Sequence, residues 1–148
     1  MRHTKKASTC IAVAACLLLA AGGSVRQANS QTASPTLDYQ FFKDKVEPVF
    51  LTKRPGHTRC VVCHTINNAP FHLVQLSPGA TTLNEEQSRQ NFQLIQKVVT
   101  PGYEDSRLLK HPLAEEAGGD PRHNGGQQFA SKNDPDWLTL RAWVMGAK

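Results

Sequence analysis

Two cysteines and a histidine stand together in "CVVCHT", residues 60–65, and their spacing restricts the fold of the chain more than any other feature. Cys60 and Cys63 are separated by two residues, and His64 follows directly. On a helix, a three-residue step places both thiols on the same face. Parts of the segment suit a disulfide, a structural zinc site, a thiol redox centre or a covalently attached haem. The rest of the sequence distinguishes these four.

The first 23 residues have the features of an export signal. The basic segment "MRHTKK" precedes an apolar run of twelve residues, 10–21. A membrane-spanning helix needs about 20 apolar residues, whereas the apolar part of a signal peptide is shorter. Small residues then offer a cleavage site. We therefore interpret residues 1–23 as a signal peptide, residues 24–36 as a flexible lead-in, and residues 37–148 as the domain of an exported, periplasmic protein.

Cys16 offers a second interpretation of this N-terminus. "VAAC" at residues 13–16 resembles the end of a bacterial lipoprotein signal, in which the cysteine is acylated. The apolar run continues through residues 17–21, so Cys16 lies inside the run rather than at its end. We favour an ordinary signal peptide. An uncleaved or lipidated N-terminus would instead attach the protein to a membrane.

Removing the signal changes both the charge and the cysteine count. Residues 1–33 hold four of the 17 Lys and Arg residues and no acid, which leaves 13 basic residues against 12 acidic ones from Ser34 onward. This near-neutral remainder gives no reason to expect a nucleic acid or a membrane surface as a partner. Cys60 and Cys63 are the two cysteines that remain in the exported chain.

Helical patterns predict a mainly α fold. Residues 37–50 place apolar side chains four positions apart, and Pro48 is expected to end or kink this helix. Residues 82–100 predict a second helix, which begins with a capping box of Thr82 and Glu85. Short helices are expected near Cys60 and within residues 104–113, and no alternating pattern predicts a strand.

The last helix carries the strongest start signal. It is expected over residues 133–148, with Asp134 as its N-cap and Pro135 in its first turn. Trp137, Leu140, Trp143 and Val144 supply its apolar side chains. Loops make up about half of the mature chain, and a small loop-rich domain usually needs a disulfide, a metal or a cofactor to complete its core.

Haem is the one ligand that uses the whole of the cysteine–histidine segment. A disulfide would close a very small loop and leave His64 unexplained. A thiol redox centre needs a βαβ context, and a structural zinc site needs two further ligands of suitable spacing. In haem c attachment, Cys60 and Cys63 form thioethers with the two vinyl groups, and His64 binds the iron as the proximal ligand. The sequence therefore predicts one covalent haem c.

Four stretches resemble a known family. They are "FFKDKVEPVF" at residues 41–50, "CVVCH", "PGYEDSRLL" at residues 101–109 and "DWLTLRAWV" at residues 136–144. With them the chain resembles small single-haem c-type cytochromes, in particular the planctomycete-type cytochrome c domain. The resemblance implies a cytochrome c-like helical fold around the haem, with the first and last helices packed together. It also implies electron transfer as the activity.

The chain departs from this family at the second axial ligand of the iron. The resemblance implies a methionine in the loop before the last helix, but residues 115–129 hold His123 between pairs of glycines instead. We therefore predict His123 as the distal ligand. His111 remains an alternative, as do Met145 in the last helix, His72, and a sixth iron position that is open or occupied by water. His72 follows His64 by only eight residues and would need an unusually tight loop.

The predicted function is a periplasmic cytochrome that carries electrons one at a time between redox partner proteins, and not an enzyme by itself. A peroxidase-like haem enzyme and a redox- or gas-sensing module are the alternatives, and both need an exchangeable sixth ligand. The sequence also allows an oligomer in which haem edges meet between subunits. We expect the Pro70 carbonyl to accept a hydrogen bond from the His64 ring. The basic segment at residues 53–59 is expected either to be solvated or to face the haem propionates.

Overall fold

The computed structural model describes residues 33–66 and 71–148. The interpretations made for residues 1–32, including the signal peptide and Cys16, lie outside this part of the chain, as does Pro70. Within the described residues the fold is mainly helical and contains no strand; a single isolated bridge pairs Leu113 with Phe129. The mainly α class is thus confirmed. None of the described helices is long and apolar enough to cross a membrane.

Helix α1 covers residues 39–51 and changes its hydrogen-bond register midway. It consists of α-helical Tyr39–Phe41, π-helical Phe42–Val46 and α-helical Glu47–Leu51. The helix thus does not end at Pro48, one of the two predicted outcomes, but its hydrogen-bond register changes between Val46 and Glu47, just before the proline. Proline has no N–H to donate, and the π-helical register before it puts Pro48 into the first turn of a new α-helical segment, where that donor is not required.

Two further helices follow in the middle of the chain. Helix α2 is Cys60–His64, as expected, and α3 is Glu85–Ile95 with a 3₁₀ extension. The capping box of α3 consists of Asn84 and Gln87, so the predicted pair of Thr82 and Glu85 is wrong. The Glu85 carboxylate instead accepts hydrogen bonds from Tyr39 and Lys43 across the helix interface.

The C-terminal part contains α4, Arg107–Lys110, then a 3₁₀ turn at Glu115–Ala117, and α5, Pro135–Val144. The predicted start of α5 is confirmed, since the Asp134 carboxylate accepts the backbone N–H groups of Asp136 and Trp137. The four apolar side chains predicted for α5 are all buried: Trp137, Leu140, Trp143 and Val144.

The first and last helices pack directly against each other. The rings of Phe42 in α1 and Trp143 in α5 have centroids 5.4 Å apart, and both side chains are fully buried. The Trp143 indole N–H donates to the backbone carbonyl of Asp38 at 2.8 Å. Phe92 of α3 closes this cluster, with its ring 5.4 Å from that of Phe42. Val49 and Phe50 in the last turn of α1 line a cavity beside this cluster.

A buried carboxyl group joins α1 to α3. Glu47 is only 5% exposed, and the Ser88 hydroxyl donates to its Oε1 at 2.9 Å. Burial raises the pKa of Glu47. The folded state therefore favours the protonated carboxyl, and stability is lost as the pH rises from the unfolded-state pKa through the folded-state pKa.

We expect Glu47→Gln to increase the free energy of unfolding at pH 7 and to have no such effect below pH 4. Glutamine retains the acceptor for Ser88 without the cost of ionisation, and the gain is about 1.4 kcal/mol for each unit by which folding raises this pKa. Denaturant unfolding at both pH values measures it. Glu116→Gln, on an exposed turn, serves as the control. Lower stability of Glu47→Gln at pH 7 would contradict the prediction.

Candidate cofactor site

One open cavity of about 380 Å³ is lined by residues of α1, α2, α4 and α5, by Val98 in the 3₁₀ extension of α3, and by the loops between them. Its volume lies in the range of about 300–1,000 Å³ that is typical of small-molecule and cofactor sites. Its walls are mostly apolar, and they include Val49, Phe50, Val98, Leu108, Phe129 and Leu140. The polar lining is supplied by two cysteines, three histidines and the side chains of Arg107, Arg122 and Asn124. Such a lining suits a mainly apolar ligand that carries a few polar or charged groups.

Helix α2 turns one face toward this cavity. Cys60, Cys63 and His64 all line it, whereas Val61 is buried in the core and Val62 is 46% exposed. Both thiols are free, and burial raises the pKa of Cys60. The three-residue step predicted from the sequence thus places both sulfur atoms and the imidazole at the same cavity.

The imidazole of His64 is oriented by the segment that follows it. Its Nδ1 lies 3.2 Å from the backbone carbonyl oxygen of Phe71, and burial lowers its pKa. A neutral histidine that donates Nδ1–H to a carbonyl keeps the lone pair on Nε2 for a metal. The carbonyl expected in this position was that of Pro70, which lies outside the described residues; the observed contact uses the next residue.

His123 has the same arrangement in the opposite wall. Its Nδ1 lies 2.6 Å from the carbonyl oxygen of Gly126, and burial lowers its pKa. Gly126 has a φ of +81°, a conformation that glycine adopts without strain. Gly125 lies beside the His123 ring, and a Cβ atom there would be in ordinary van der Waals contact with it. The Gly126 carbonyl thus orients the His123 imidazole.

The imidazoles of His64 and His123 lie close together at this cavity with nearly parallel planes. Their ring centroids are 6.3 Å apart, and their planes differ by 18°. A metal ion bound to an imidazole nitrogen lies about 2 Å from it, and that nitrogen lies about 1 Å from the ring centre, so two rings on opposite sides of one ion have centres about 6 Å apart. The observed separation of His64 and His123 therefore fits one metal ion bound between them.

The other predicted ligands take different places. His111 lines the cavity, with Nδ1 3.0 Å from the Asp120 carboxylate and its ring 4.9 Å from that of His123. Met145 caps α5 and is 41% exposed. Neither Met145 nor His72 is among the described residues that line the cavity. The structure thus brings His64, His123 and His111 together and leaves the other two aside.

The described residues offer a metal ion fewer ligands around one position than a structural zinc site uses. Within residues 33–66 and 71–148, no group of three or more His, Cys, Asp or Glu side chains is arranged around a common metal position. A structural zinc ion takes four such ligands. The two imidazoles and the two thiols nevertheless line one cavity.

The local sequence does not predict the position of Arg54 beside the cavity wall. Arg54 belongs to the basic segment at residues 53–59, yet its side chain is only 11% exposed and forms an ion pair with Asp136. Its guanidinium lies 4.7 Å from the ring centre of Phe129 in the cavity wall. A run of basic residues carries no signal for this burial, because Asp136 and Phe129 lie far along the chain.

No protein-family model matches this chain, and no curated protein or solved structure matches it either. The function is therefore inferred from the residues of the cavity and their geometry.

Proposed function

We propose that the protein is a periplasmic single-haem c-type cytochrome that carries electrons one at a time. The observation that carries this proposal is the pair of His64 and His123, both held with Nε2 available and 6.3 Å apart between ring centroids, beside two free cysteines. The resemblance of the motif and its flanking segments supports it. The packing of α1 on α5 agrees with a cytochrome c-like fold.

Each residue of the site has a separate task in this proposal. Cys60 and Cys63 hold one haem c through thioether bonds, and His64 and His123 bind its iron as proximal and distal ligands. The bound haem supplies reversible one-electron transfer. The carbonyls of Phe71 and Gly126 hold the two imidazoles in place, and the apolar side chains of the cavity would contact the haem.

The proposal predicts a lower reduction potential than that of cytochromes with histidine and methionine ligands, because methionine is the ligand that raises the potential. A spectroscopic redox titration of the purified exported protein measures it and should follow a one-electron curve. His123→Met should shift the potential upward. A wild-type potential in the range of histidine–methionine cytochromes would contradict bis-histidine ligation.

A haem enzyme or a redox- or gas-sensing module is the second candidate, and the contact between His111 and Asp120 favours it. A histidine hydrogen-bonded to a carboxylate is suited to proton transfer, and this pair lies next to His123. Both functions need a sixth position that opens. Tight binding of carbon monoxide by the reduced protein would support them, whereas its exclusion supports the electron carrier.

Redox partner proteins complete the proposed function. Ile66, two residues after the end of α2, lines the cavity and is 54% exposed, and Val62 of α2 is also exposed. We place electron exchange at this apolar edge of the cavity, where a partner can approach the haem closely.

A further inference from the structure

We propose that helix α3, whose α-helical part Glu85–Ile95 does not line the cavity, positions the proximal ligand through the side chains of Asn91 and Gln87. Both hold the segment at residues 71–77, and this segment supplies the carbonyl that accepts the Nδ1–H of His64. The inference rests on the proposed function, since it assigns a role toward the iron ligand.

Asn91 makes the central contact. Its Oδ1 accepts the backbone N–H of Val74 at 2.6 Å, and the Asn91 side chain is fully buried. Val74 directly follows Leu73, whose N–H donates to the carbonyl of His64 at 2.7 Å. Three residues before Val74, the Phe71 carbonyl contacts His64 Nδ1. One amide on α3 therefore fixes a short segment that touches the proximal histidine at two points.

Gln87 adds a second point of attachment one helical turn earlier. Its Nε2 donates to the backbone carbonyl of Gln75 at 2.8 Å, while its Oε1 accepts the N–H of Asn84 in the capping box. Residues 72–76 belong to no helix or strand. Backbone groups of such a segment need other partners, and the two amide side chains of α3 provide them.

The position of the Phe71 carbonyl matters for the electronic properties of His64. A hydrogen bond from Nδ1–H to a carbonyl makes the imidazole a stronger donor to a bound metal. A stronger donor stabilises the oxidised iron, and loss of this hydrogen bond raises the reduction potential. Asn91 is therefore a positioning residue, because it acts on the iron only through the segment and His64.

The test uses the holoprotein of Asn91→Leu. We expect a higher reduction potential than in the wild type, with haem still attached, and backbone amide exchange at Val74 at least tenfold faster. Asn91→Asp keeps an acceptor oxygen, so it should retain the slow exchange at Val74 and show no rise in potential. Gln93→Leu, at an exposed position of the same helix, is the matched control and should leave both measurements unchanged.

Gln87→Glu provides an independent variant if Asn91→Leu does not fold. It keeps the Oε1 acceptor of the capping box but removes the donor to Gln75, and it should accelerate exchange of the His64 Nδ1 proton. A wild-type potential in Asn91→Leu, or wild-type exchange of this proton in Gln87→Glu, would overturn the inference while the haem remains attached. Absence of covalent haem from the wild type would instead overturn the proposed function.

Discussion

The double variant Cys60→Ala/Cys63→Ala is expected to contain no covalently bound haem. Both thiols line the cavity within one turn of α2, and the structure describes no other cysteine. Without them no thioether can form, so denatured protein should lose all haem-dependent absorbance. Mass spectrometry of the denatured chain should show the mass of the polypeptide alone, whereas the wild type should carry one additional haem.

The single variants and a neighbouring control make this result specific. Cys60→Ala and Cys63→Ala should each retain at most one thioether, which leaves one unsaturated vinyl group and shifts the absorption bands of the reduced haem. Val62→Ala lies between the two cysteines on the exposed face of α2, and it should retain wild-type haem content. Covalent haem in the double variant would mean that other residues hold it.

His123→Ala is expected to convert a low-spin haem into a high-spin one. His123 supplies the imidazole opposite His64, with ring centroids 6.3 Å apart, and alanine leaves the sixth position without a protein ligand. Absorption and electron paramagnetic resonance spectra distinguish the two spin states. Added imidazole should restore the low-spin spectrum of this variant by occupying the same position.

His111→Ala is the control for this variant. The Nδ1 of His111 is hydrogen-bonded to Asp120, and the His111 ring lies 4.9 Å from that of His123. This variant therefore removes a second imidazole that lies next to His123. We expect it to stay low-spin. A low-spin spectrum of His123→Ala together with a high-spin one of His111→Ala would assign the distal position to His111.

The helices were predictable where one local signal acts alone. Asp134 and Pro135 fix the start of α5, and no other residue competes with them. At Pro48 the predicted end of the helix is wrong, because a π-helical register upstream admits the proline into a new α-helical segment. At α3 two capping patterns compete, and Asn84 prevails since Glu85 is engaged by residues of α1.

The residues of the candidate site were likewise predictable where a local sequence pattern marks them. Cys60, Cys63 and His64 were evident from their spacing, and His123 from its glycine-rich loop before the last helix. The contact of His111 with Asp120, the ion pair of Arg54 with Asp136 and the hydrogen bond from Val74 N–H to Asn91 join segments that are apart in the chain. No local pattern encodes such contacts, because they depend on how the helices pack.

Acid extraction of the exported wild-type protein, followed by the absorption spectrum of its alkaline pyridine complex, tests the central claim most directly. Covalent haem stays with the precipitated polypeptide, whereas non-covalent haem passes into the organic phase. We predict that one haem per chain stays with the protein and that its spectrum is that of a haem with both vinyl groups saturated. A colourless polypeptide, or haem recovered entirely in the organic phase, would contradict attachment at Cys60 and Cys63.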